Sequence, residues 1–168
     1  MAEGRPAPAA ARTVVAGVGE PFRRDDGCGP RVVRALRGRV RPGVELIERV
    51  AETTALIDLW DRADLAVVID AMRSGAPVGS VVRWEGNELV RATSERTTSS
   101  HGLSVRDAYD LGKALGRVPQ RLVLYLIEAG ELGPGETLSP AVAEAVARTA
   151  AEVAAEVNSA AGGALAER

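Results

Sequence analysis

The sequence predicts an α/β fold in three layers: a mainly parallel five-stranded sheet with one antiparallel strand, flanked by helices on both faces. Three observations predict it. Short apolar runs of strand length recur at 13–18, 44–50, 65–71, 78–84 and 121–130. The first three are separated by stretches of helical period, which requires right-handed crossovers and parallel pairing. The link "MRSGAP" after the third run is too short for a crossover, so the strand that follows must reverse direction and lie toward an edge.

Each element has its own signal. "TVVAGV" (13–18) is β-branched and bounded by glycine, a buried strand. "GPRVVRALRG" (29–38) places Val32, Val33 and Leu36 on one side, with Pro30 tolerated in the first helical turn. "VELIERV" (44–50) alternates and reads as the second strand. "TTALIDLWDRA" (53–63) opens on hydroxyl caps and then spaces Leu56, Leu59 and Trp60 as a helix does. "LAVVIDA" (65–71) is solidly apolar until Asp70, the clearest buried strand. "EGNELVRATSERTTSS" (85–100) is polar and aperiodic, a long functional or mobile loop that delivers the chain to His101. "SVRDAYDLGKALG" (104–116) begins with a capping box, Ser104 and Asp107, and spaces Val105, Ala108, Leu111 and Leu115 as a buried stripe. After the strand "RLVLYLIEAG", Ser139 is read as a cap and Pro140 as the start of a terminal helix. Its seam is Val142, Val146, Thr149, Val153 and Val157, and its solvated row is Glu144, Arg148, Glu152 and Glu156.

Residues 13–158 are read as a single domain, with a flexible arm over 1–12 and a flexible tail over 159–168. The chain of 168 residues has 46% apolar and 26% charged residues, ordinary for a globular protein. A formal net charge of -2 and 3% aromatic residues argue against nucleic-acid binding and base stacking. No apolar run reaches the length of a membrane span. The start "MAEGRPAPAAAR" is too short and weak for a signal segment. One cysteine, Cys28, forms no intrachain disulfide and suits a reducing cytoplasm. The expectation is a cytoplasmic monomer without membrane contact.

Open α/β sheets bind ligands beyond the carboxyl ends of their strands. Three sets of polar groups fall there. Asp25 and Asp26 follow the first strand, Asp70 ends the third, and His101 precedes the capped helix. Two carboxylates and an imidazole suit a borderline divalent metal such as nickel or zinc. Taken singly, each has a structural reading: Asp25 and Asp26 as caps or dipole partners, Asp70 as a turn cap, His101 as a surface histidine. Convergence on one rim favours a site.

Other motifs weaken on inspection. "GVGEPF" starts like a dinucleotide fingerprint, but Phe22 stands where the third glycine is needed, Pro21 removes a donor, and two aspartates repel pyrophosphate. Cys28 in a helix-entry turn reads as small filler. Asp58, Asp61 and Asp64 read as solvated, as does the row Asp107, Asp110 and Lys113. Glu48 and Glu128 sit near strand ends with no assigned role.

Together these residues resemble the hydrogenase maturation protease family. Its opening pattern G-x-G-N-x-x-x-x-D-[DE]-G-x-G is similar to "GVGEPFRRDDGCG", its apolar third strand into D-A to "LAVVIDA", its S-x-H-x-L to "SSHGL", and its late L-S-P to "TLSP". The four agree in order and spacing over roughly residues 13 to 157. The resemblance implies a twisted five-stranded sheet and an endopeptidase. Such an enzyme trims the C-terminal extension of the nickel–iron hydrogenase large-subunit precursor after nickel insertion.

Carried over by position, the resemblance assigns metal coordination and catalysis to Asp26, Asp70 and His101. The nickel is then carried by the substrate, with no organic cofactor. Asp25 orients the turn or its neighbour, and Arg23 and Arg24 meet acidic groups on the partner. Water is activated either by the metal or by a carboxylate, Asp26 or Asp70. Two departures stand out: Glu20 occupies the usual asparagine position, and "ERVAETTALIDLW" lacks the glycine–threonine stretch after the second strand. Two other readings of the same site are a non-catalytic metal-checkpoint chaperone for the large subunit and a small-molecule hydrolase with resident zinc.

Overall fold

The computed structural model describes residues 11–86, 88 and 104–160. Strand β1 (Thr13–Val18) leads through a 3-10 turn (Arg24–Gly27) into α1 (Cys28–Ala35). Then follow β2 (Val44–Val50), α2 (Ala55–Trp60), β3 (Leu65–Met72), β4 (Val81–Glu85), α3 (Val105–Ala114), β5 (Arg121–Glu128) and α4 (Pro140–Ser159). The five-stranded sheet has the order β2-β1-β3-β5-β4. All neighbours are parallel except β4, which runs antiparallel to β5 at the edge. The expected reversal is present. The partner of β4 is β5, which inserts between β3 and β4, because a parallel β5 completes the buried centre while the half-buried β4 suits an edge.

The strand period of two divides the core. Val15, Val67, Ile69, Val123 and Tyr125 point to the side covered by α1 and α4, through Val32, Val33, Leu36, Val142, Val153 and Val157. Val14, Ala16, Val68, Leu122 and Leu124 point to the side of α2 and α3, through Leu56, Trp60, Val105 and Ala108. Each fully buried large side chain contributes about 1.5–3 kcal/mol by leaving water, so both faces are held and the carboxyl rim has a rigid base.

Several local expectations need correction. On α3, Leu111 and Leu115 are 46% and 57% exposed, and the buried stripe is Val105, Ala108 and Gly112. The helix lies closer than a leucine would allow: a Cβ on Gly112 would sit 2.7 Å from the Arg117 carbonyl oxygen. Trp60 Nε1 donates to that same carbonyl at 3.1 Å. The Ser104–Asp107 capping box is present in both directions.

Thr54 makes no side-chain cap bond, and neither does Ser139, whose groups are used elsewhere. Glu156 does not belong to the solvated row, since it accepts from Arg83 and from the Tyr125 hydroxyl. Asp58 is solvent-exposed as expected while pairing with Arg117, whereas the half-buried Asp61, also paired with Arg117, and Asp64, which accepts the Arg12 amide at 2.6 Å, tie elements together. Arg12, assigned to the arm, is thereby bound to the domain; residues 1–10 and 161–168 lie outside the described residues.

Candidate functional site

The glycines after β1 serve close packing rather than phosphate. A Cβ on Gly17 would lie 2.6 Å from the Gly29 carbonyl carbon, and one on Gly29 would lie 2.5 Å from the Ile69 and Val18 carbonyl oxygens. Without side chains at these two positions, the start of α1 presses directly onto β1 and β3. Gly19, at φ +125°, turns the chain where any side chain would strike the Asp26 carbonyl. The result is a buried acidic turn: Asp25, Asp26 and Gly27 are all inside the protein. Asp26 Oδ2 accepts the Glu20 amide at 2.9 Å.

Asp70, at the carboxyl end of β3, is 4% exposed, and its Oδ1 accepts the Ala71 amide at 2.8 Å. Its carboxyl is pushed up to about 7, first by removal from water and further by the negative charge of Asp26, against the Ala71 hydrogen bond. Asp26 therefore sits close enough to oppose the ionisation of Asp70, although 44 positions separate them in the sequence. His101 lies outside the described residues. Among the described residues no group of three His, Cys, Asp or Glu is placed to hold a metal ion.

Cys28 is wholly buried beside these carboxylates. Burial pushes its thiol well up, and Asp70, Asp26 and Asp25 push it further. A thiol so disfavoured as a thiolate is no nucleophile, so its role is packing.

Burial alone would raise the Asp25 carboxyl, but hydrogen bonds from Glu131, Ser139 and Gly130 outweigh it and hold the group below its ordinary value. The carboxylate accepts the Gly130 amide at 2.9 Å, the Glu131 amide at 2.8 Å, and the Ser139 amide and hydroxyl at 2.7 Å each. Sequence reading assigned Asp25 to orienting the turn. No local pattern marks its partners, more than a hundred residues away, and Ser139, expected as a helix cap, gives its amide and hydroxyl to Asp25 instead.

Glu128 is another buried carboxylate spent on structure. It accepts the Ser74 amide and hydroxyl and the Gly75 amide, fixing the turn after β3. Glu48 is drawn outward to Arg34 and Arg37. Glu20 pairs with Arg49 at the end of β2, and with Gly19, Arg23 and Ala51 these two line a pocket of about 240 Å³. A neighbouring groove of about 510 Å³ runs over Ile47, Val50, Ala51, Ala55 and Leu59. The segment lacking the glycine–threonine stretch thus borders both hollows.

Fold and site together define an α/β protein whose sheet brings two mutually repelling, buried carboxylates to the rim beyond β1 and β3. The chain belongs to the hydrogenase maturation protease family, whose model, HycI, matches residues 30–156. That match begins after the Asp25–Asp26 turn. A hydrogenase expression/formation protein, HupD of Thiocapsa roseopersicina, is 31% identical over 134 residues, 78% of this chain and 61% of the relative's length. Among solved structures, the hydrogenase maturating endopeptidase HybD from E. coli has a TM-score of 0.76 at 25% identity, covering 89% of this chain and 93% of the other. The [NiFe] hydrogenase maturation protease HybD from Thermococcus kodakarensis has a TM-score of 0.69 at 25% identity, covering 88% and 99%.

Proposed function

We propose that the chain is an endopeptidase that removes the C-terminal extension from a nickel-loaded large-subunit precursor of nickel–iron hydrogenase, recognising the nickel carried by that substrate. The observation that carries the reading is the joint burial of Asp26 and Asp70. Both side chains are buried, and the charge of Asp26 adds to desolvation in opposing the ionisation of Asp70, a conflict that a divalent cation relieves. Carboxylate oxygens and the imidazole of His101 form a donor set suited to nickel. The relatives' descriptions as maturation endopeptidases support the reaction class.

In this mechanism Asp26, Asp70 and His101 meet the nickel and anchor the precursor's tail across the carboxyl rim. A precursor without nickel lacks the charge that makes two ionised carboxylates tolerable there, so metal recognition acts as a checkpoint. Water then adds to the scissile carbonyl. A carboxylate, Asp26 or Asp70, takes the proton from that water, and the carbon–nitrogen bond breaks as the proton passes to the leaving amine.

The test is incubation of the purified chain with nickel-loaded and nickel-free precursor, followed by mass spectrometry. Nickel-dependent loss of a short C-terminal peptide is expected. Tight binding with the precursor left intact would replace the protease by a non-catalytic chaperone. Asp70→Asn and His101→Ala should abolish processing with an unchanged circular dichroism spectrum; normal processing by either variant would refute the site assignment.

A further inference from the structure

Arg24 takes φ 49°, a left-handed conformation that a non-glycine residue adopts only at an energetic cost. Such a residue persists only where its surroundings over-determine it. Here the loop Gly130–Ser139 supplies that constraint. The Arg24 amide donates to the Gly135 carbonyl at 2.7 Å, the Asp25 amide to the Glu131 carbonyl at 3.0 Å, and the Gly135 amide to the Phe22 carbonyl at 2.9 Å. Arg24 Nε donates to the Pro134 carbonyl at 3.2 Å, and its guanidinium pairs with Glu131. Crossing the same seam, the Asp25 carboxylate collects four bonds, two of them from Ser139.

We propose that Asp25 is a positioning residue for Asp26: by clamping the Gly130–Ser139 loop against the strained turn, it fixes the direction in which the next residue presents its carboxylate. This rests on the reading of Asp26 as a nickel-facing group. It gives a common role to two sequence features the chemistry left unused, the first acid of "DDG" and the serine of "TLSP", because they bind each other. The clamped loop carries none of the candidate site residues. Four donors, three of them amides, exceed what a helix cap or one turn would require. Saturating them therefore acts on the turn that bears Asp26.

The experiment titrates nickel(II) into the purified full chain and its variants, with thermal unfolding followed alongside. In Asp25→Asn an amide NH₂ faces donors, so at least one of the four bonds is lost. Nickel affinity should fall about 10- to 100-fold at a temperature where the variant is fully folded, the usual effect of removing a group that orients a ligand. Ser139→Ala, which keeps its amide bond to Asp25, should show a smaller fall, and Ser139→Thr should recover the wild-type value. A lowered melting temperature with unchanged affinity would show a merely structural role and overturn the proposal. If Asp25→Asn does not fold, the serine pair decides: equal affinity in wild type, Ser139→Ala and Ser139→Thr overturns it. Asp26→Asn is the control on the underlying reading. If it binds nickel like the wild type, or if the wild type binds none, the site itself is misassigned and the proposal falls with it.

Discussion

Replacing Asp70 by asparagine removes a buried carboxyl whose proton is held from an ordinary 3.8 up to about 7. The amide keeps the oxygen that accepts the Ala71 amide, so the shape and that hydrogen bond survive. The sign follows from proton linkage. Between pH 4 and pH 7 the folded wild type retains a proton that the unfolded chain has released, so wild-type stability falls as pH rises. A gap of about three pH units at 1.36 kcal/mol each gives about 4 kcal/mol. That difference is absent below the unfolded value and complete above the folded one. Urea unfolding of wild type and Asp70→Asn at half-unit intervals from pH 4 to pH 8 should show the variant gaining by about this amount. A difference that stays flat across the range, or that grows in the opposite direction, would refute the reasoning. In the Asp26→Asn background the same curve should shift to lower pH, because one of the two causes of the raised value is gone.

Nickel(II) binding near pH 6.5 should release a proton from Asp70, seen as a binding enthalpy that varies with the ionisation enthalpy of the buffer; no variation would mean Asp70 is not protonated there. Gly29→Ala should destabilise the fold by about 2–3 kcal/mol in urea, since the new methyl group meets the Ile69 and Val18 carbonyl oxygens at 2.5 Å. Ser104→Ala should cost about 1 kcal/mol by opening the capping box of α3. Its effect should be readable in the same unfolding curves.

The parts of this protein that were legible in the sequence are those set by local periodicity. Strands 13–18 and 44–50 end where the apolar pattern ends, and Asp70 announces itself as the first charge after an apolar run. The rim was legible too, because a parallel sheet sends every strand's end to one side. What could not be read is set by contacts between distant segments. Nothing local distinguishes Asp25, whose ionised form is stabilised by a ring of donating amides, from Asp70, which holds its proton. The serine before Pro140 has the composition of a helix cap, yet a buried carboxylate 114 positions earlier takes both its donors. Leu111 keeps helical spacing, but Gly112 lets the neighbouring chain approach so closely that the helix turns the leucine outward.

The rim thus separates two uses of the same chemical group. Asp25 and Glu128 each accept several backbone amides, which hold them to neighbouring loops. Asp70 accepts one local amide and otherwise faces desolvation and the charge of Asp26, so its ionised form is the unstable one. A site meant only to hold loops would have given Asp70 the ring of donors that the chain gives Asp25 and Glu128. Leaving Asp70 under-compensated beside Asp26 costs stability above neutral pH, and in the proposed function the positive charge of the substrate's nickel offsets that cost. On the proposed reading, selectivity for a metal-bearing partner has its origin here, because an uncharged tail in the same cleft offers Asp70 no compensation.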